Sequence, residues 1–164
     1  MPAAQDPSEP GRPDVANPGL LRPPFVYLSA ILAGVALDFI RPLRLLPDEV
    51  GALIGLPIAV AALVLFVLSV RRFTAAGTPV PANRPTTAIV RSGPYRWSRN
   101  PIYVAFSMLQ LGIASWLNSA WVLGTLAVAL GLMTWVVIPR EERYLERKFG
   151  SEYLEYKAKV RRWI

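Results

Sequence analysis

The sequence contains no cysteine and no histidine among its 164 residues. The first absence excludes disulfides, thiolate metal sites and cysteine nucleophiles. The second excludes an imidazole general base, and with it zinc hydrolases and Ser-His-Asp hydrolases. No metal centre is expected. Any chemistry must rest on Glu, Asp, Arg, Lys, Tyr, Asn or a bound cofactor. Acidic residues are also scarce, 11 against 18 Lys and Arg, which leaves a formal net charge of +7.

Apolar side chains, by contrast, are abundant. They make up 53% of the sequence, and the mean hydropathy is +0.35. They are clustered, which points to one membrane domain rather than a large soluble core. The excess charge fits that reading. Fourteen of the eighteen Lys and Arg residues lie from Arg71 onward, flanking apolar runs without interrupting them. That distribution follows the positive-inside rule, and no nucleic-acid partner is expected.

Residues 1–23 are rich in Pro and Ala without apolar periodicity, so they read as a disordered tail. The tail lacks the basic start and apolar middle of a secretory signal. Four spans are expected, at residues 24–40, 51–70, 101–117 and 120–138. In the first, Asp38 lies three residues before Arg41, close enough to pair with it at the interface. The second has a Gly51/Gly55 pair suited to close packing and a Pro57 able to kink it. In the fourth, Gly124, Ala127 and Gly131 form a small-residue stripe, expected to receive a neighbouring helix. The short uncharged turn "NSA" makes the last two spans a tight antiparallel hairpin.

Residues 73–100 form a long polar connection, too rich in Pro and Gly for one helix. Residues 139–164 read as an amphipathic, cationic segment at the membrane surface, broken at Gly150 and restarted by a Ser151 cap. The expected fold is therefore all-α and multi-pass, with both termini and both cationic segments cytoplasmic.

A hairpin brings its two far ends together. Tyr95, Arg96, Arg99, Asn100 and Tyr103 at the entrance of the third span should meet Arg140, Glu141, Glu142 and Arg143 at the exit of the fourth. Tyr103, Ser107 and Gln110 lie on one helix face. Interhelical hydrogen bonding is expected for Ser107 and Gln110, and a pocket-lining role for Tyr103. A carboxylate at 141 or 142 suits a ribose, a sulfonium or an amine; the competing reading is a surface charge ladder.

"GPYRWSRNPIYVAF", two apolar runs and "EERYLERKFGSEYLEYKAKVRRWI" occur in order over roughly residues 71–164. This pattern resembles the isoprenylcysteine carboxyl methyltransferase and phospholipid methyltransferase superfamily. The resemblance implies an integral membrane enzyme that uses S-adenosyl-L-methionine on a lipid-like or prenylated acceptor entering from the bilayer. It assigns Tyr95, Asn100, Pro101, Tyr103, Glu141 and Glu142 to the cofactor. It assigns Arg99, Asn100 and Tyr103 to catalysis, and Tyr153, Tyr156, Arg162 and Trp163 to the acceptor. Two positions depart from the family pattern: Asn100 stands where His is frequent, and Arg161 replaces a Pro before the final Arg-Trp.

Methyl transfer to an acceptor that is already anionic needs alignment more than acid-base help. A chain without His thus suits an isoprenylcysteine-like carboxylate. The alternatives are phospholipid N-methylation and a non-catalytic membrane protein on the same fold.

Overall fold

The computed structural model describes residues 22–77 and 86–164. The tail expected to be disordered lies, up to residue 21, outside the described residues. The elements are α1 (Pro23–Ile40), α2 (Asp48–Ala75), a 3-10 turn (Gly93–Arg96), α3 (Pro101–Trp116), α4 (Ala120–Leu132), a π turn (Met133–Val137), α5 (Ile138–Phe149) and α6 (Ser151–Lys159). Among the described residues no strand forms; one isolated parallel bridge joins Ser98 to Arg161.

Among the described residues, three helices are long and apolar enough to cross a membrane: Pro23–Ile40, Glu49–Ala75 and the continuous Ala120–Phe149. The apolar helix Pro101–Trp116 is shorter. Large apolar side chains point outward from the first two, with Phe39 91% and Leu53 76% exposed. Such a surface suits hydrocarbon rather than water.

Packing follows the small residues, though not all of them. Gly51 and Gly55 of α2 lie against the backbone of Gly112, Ser115 and Trp116 of α3, where any Cβ would collide. Gly34 of α1 similarly admits Val122 and Thr125 of α4. The stripe expected on α4 has another fate. Gly124 faces open space, Ala127 is exposed and Gly131 is covered by Trp135 of its own helix. Helix α4 packs mainly on α1, through Val122, Leu126 and Ala129, and also touches α3.

The connections 41–47 and 117–119 meet at one end of the molecule. Asn118, at φ 51°, takes the left-handed conformation that Asn tolerates. Its Oδ1 accepts from Leu45 N (3.0 Å) and Leu46 N (2.8 Å), and its Nδ2 donates to Leu46 O (2.7 Å). Ser119 caps α4 and donates to Asp38 at 2.9 Å. The expected Asp38–Arg41 pair does not form, because α1 ends at Ile40 and Arg41 is extended. Asp38 instead meets Arg44 at 3.5 Å, and the Arg41 carbonyl accepts from Trp121.

The helix begun at Ala120 does not stop with its apolar residues. It continues through the π turn into α5, carrying Pro139 in the first turn of that segment. Proline lacks an N–H and crowds the carbonyl four residues back, and the wider π turn accommodates it. Gly150, at φ 55°, ends α5. It also occupies the N-cap position of α6, so Ser151 is the first helical residue rather than the cap.

Candidate active site

At the opposite end, α2, the polar connection, α3 and α5–α6 converge. Gly93 (φ 61°) opens the 3-10 turn and Pro94 continues it. The turn buries Tyr95, whose ring lies 5.1 Å from that of Phe73 in the last turns of α2. Helix α3 then starts at Pro101, where a missing N–H costs nothing.

Across from this turn, α5 presents the two adjacent carboxylates in different directions. Glu141 accepts from the Tyr103 hydroxyl through both oxygens, at 2.8 and 2.9 Å. Glu142 is buried among cations. Arg162 grips it with Nε at 3.0 Å and Nη2 at 2.8 Å, Arg99 lies at 3.3 Å and Lys157 at 3.6 Å. Lys157 also pairs with Glu146 at 2.6 Å.

The break at Gly150 turns α6 so that Tyr153 and Tyr156 are buried on its inner face. The Tyr156 hydroxyl donates to Tyr95 O at 2.8 Å, fastening α6 to the turn.

These elements enclose an open cleft. Of the residues singled out in the sequence, Tyr95, Arg99, Asn100, Glu141, Glu142, Tyr153 and Tyr156 line it. Tyr103 is set back from it and reaches it through Glu141. Pro101 is buried at the start of α3. Arg162 binds Glu142 rather than lining the cleft, and Trp163 Nε1 donates to Thr134 in the π turn at 3.2 Å. Phe73, Leu145, Thr86 and the stretch from Ala88 to Val90 complete the lining. The "AIV" at 88–90 was the available signal for that stretch: three apolar residues in an otherwise polar connection.

Ser107 and Gln110 of the α3 polar stripe make the expected interhelical hydrogen bonds, whereas Tyr103 does not line the cleft as expected but binds Glu141 behind it. Gln110 is fully buried and donates to Val122 O and Thr125 Oγ1, both at 3.2 Å. Ser107 donates to Tyr103 O at 2.8 Å and exchanges a hydrogen bond with Tyr27 at 2.7 Å.

The cleft combines three kinds of chemistry. Glu141 and Glu142 form an acidic wall, and four aromatic rings surround it. Arg99 Nε and Nη1 and the Tyr95 hydroxyl are buried without a hydrogen-bond partner in the protein. Each such group carries a penalty of about 1–3 kcal/mol until something polar meets it. Burial, with Glu142 nearby, pushes the Tyr153 hydroxyl up to about 12. Burial also raises Tyr95 and Tyr156. These phenols therefore remain protonated donors at neutral pH. The hydrogen bonds from Arg162 to Glu142 raise the guanidinium further and keep it cationic.

Three relatives match parts of the chain. A segment of it is 43% identical over 65 residues to an uncharacterized protein of Haemophilus influenzae, covering 38% of this chain and 100% of that one. Another is 37% identical over 75 residues to the cobalt-zinc-cadmium resistance protein CzcN of Cupriavidus metallidurans, covering 46% of this chain and 34% of CzcN. A third is 33% identical over 84 residues to the protein-S-isoprenylcysteine O-methyltransferase of Saccharomyces cerevisiae, covering 44% of this chain and 30% of that enzyme. The matches thus span about a third of the latter two proteins. No solved structure matches the chain at a significant level. The family model for phospholipid methyltransferases matches residues 50–152, more than half of the sequence, from the start of α2 into α6. By that match, and with a cleft built largely from the matched residues, the chain belongs to the phospholipid methyltransferase family.

Proposed function

We propose that this protein is an S-adenosyl-L-methionine-dependent methyltransferase of the membrane, acting on a lipophilic acceptor. The observation that carries the reading is the cleft's donor set. A guanidinium with free N–H groups, two carboxylates and an aromatic wall converge in a chain of a membrane methyltransferase family.

That set fits the proposed cofactor, whose chemistry is a methyl group on a sulfonium. Arg99 would donate to a carboxylate from its unpartnered N–H groups, while its Nη2 stays beside Glu142. Glu141, already oriented by Tyr103, would accept from ribose hydroxyls or offset a sulfonium. Tyr95, Tyr153 and Tyr156 would exclude water and face a cation with their rings. The protein's task is alignment and desolvation rather than proton transfer.

An isoprenylcysteine-like carboxylate is the favoured acceptor. It needs no base, in keeping with a chain without His and with phenols held protonated. The Saccharomyces cerevisiae relative supports the same acceptor, while the family description supports an amine phospholipid as the second reading. In both readings α3 would serve as a fourth span, and the cations of residues 71–100 and 139–164 support a cytoplasmic cleft and cytoplasmic termini. The test is methyl transfer from labelled cofactor by purified protein in lipid. Farnesylcysteine and phosphatidylethanolamine are supplied side by side. Labelled farnesylcysteine ester is expected; labelled phospholipid alone selects the second reading, and no transfer to either overturns both.

A further inference from the structure

We infer that Asn100 is a positioning residue: its side chain anchors the extended C-terminal segment, residues 160–163, as a strap that holds Arg99 and Glu142 in place. This rests on the cleft being the cofactor site, but the strap itself can be measured without any ligand.

Helix α6 ends when Val160 turns extended, at φ −122° and ψ 134°. The chain then runs parallel to residues 98–100. Arg99 N donates to Arg161 O at 2.9 Å, beside the Ser98–Arg161 bridge. Asn100 Nδ2 donates to Arg162 O at 2.9 Å. Asn100 N donates to Ser98 Oγ at 3.0 Å, and that hydroxyl faces the same carbonyl at 3.5 Å. One bridge is too little ladder to hold a strand by itself, so the Asn100 amide supplies a second fixed point.

What the strap does follows from its next two residues. Arg162 binds both oxygens of Glu142, and Trp163 donates to Thr134 while packing on the core formed by α1, α4 and the π turn. Four consecutive residues therefore tie together the segment carrying Arg99, the carboxylate of α5 and the π turn. All four lie beyond the residues matched by the family model, which end at 152.

The residue type at 100 fits this task. A donor is required, and two guanidinium groups, Arg99 and Arg162, already stand nearby. An uncharged amide donates without adding a third cation, whereas a histidine there would bring one on protonation. Asn100 also lines the cleft, so a direct ligand contact is the competing role the experiment must separate.

The experiment uses the full chain in detergent. Hydrogen exchange at the Arg99 amide reports the strap without ligand. Asn100→Ala and Trp163→Ala should each raise that exchange by about five- to tenfold, the equivalent of one lost hydrogen bond. Asn100→Asp, which keeps the shape but loses the donor, should do the same. S-adenosylhomocysteine affinity is then measured across the Asn100→Ala/Trp163→Ala cycle. Each single variant should weaken binding by about fivefold and the double variant by no more, because both release one strap. Unchanged exchange at Arg99 in the Asn100 variants overturns the inference, whether or not the protein binds the ligand. So does a double variant whose loss is the product of the two singles, which identifies Asn100 as a direct ligand contact.

Discussion

At the residue scale, Glu141 and Glu142 are adjacent in sequence yet meet unlike surroundings. Glu142 sits among Arg162, Arg99 and Lys157, whereas both oxygens of Glu141 accept from the Tyr103 hydroxyl. Tyr103→Phe leaves that carboxylate without its donor. Unfolding free energy should fall by about 1–3 kcal/mol, as measured by chemical denaturation in detergent. Tyr153 gives a pH prediction. Its hydroxyl is pushed up to about 12, mainly by burial, so the folded state favours the neutral form. The stability this contributes is complete below the unfolded value near 10 and is lost as pH rises through about 12. Alkaline unfolding of Tyr153→Phe should lack that part of the pH dependence. The double Glu and the tyrosines were legible as residue types in the sequence. That Tyr103 and Arg99 meet the double Glu was legible from the hairpin as well. Arg162 as the partner of Glu142 was not, because that contact depends on where α6 ends, and a helix end shifts by a residue or two without changing the pattern.

At the element scale, the helices were legible from apolar runs and the α5–α6 break from Gly150, since both signals are local. Which face of a helix meets a neighbour is not local, and there the outcomes divided. Gly51 and Gly55 meet α3, while Gly124 meets nothing within 4 Å. Thermal unfolding in micelles checks the contrast. Gly55→Leu drives a side chain into the backbone of α3 and should destabilise by more than the ~1–3 kcal/mol typical of overpacking. Gly124→Ala has open space and should change stability by less than about 0.5 kcal/mol. The cleft's cover from Ala88 to Val90 escaped pattern reading because it has neither period, and the strap 160–163 escaped because its partner lies 62 residues away.

At the scale of the whole molecule, the two short connections share one end and the cleft occupies the other. A chain without cysteine makes the orientation simple to test, since each introduced thiol is unique. A Cys at Leu43 should react with an impermeant maleimide added to intact cells. A Cys at Arg147 should react only after the cells are opened. The reverse pattern would invert the topology. The central claim is that the cleft takes an S-adenosyl group through Arg99. Calorimetric titration of the purified protein with S-adenosylhomocysteine tests it most directly. The account predicts one site per chain, weakened about tenfold or more (~1.4 kcal/mol) by Arg99→Ala. Absence of binding by the wild-type protein across several lipids, or equal binding by Arg99→Ala, would contradict it.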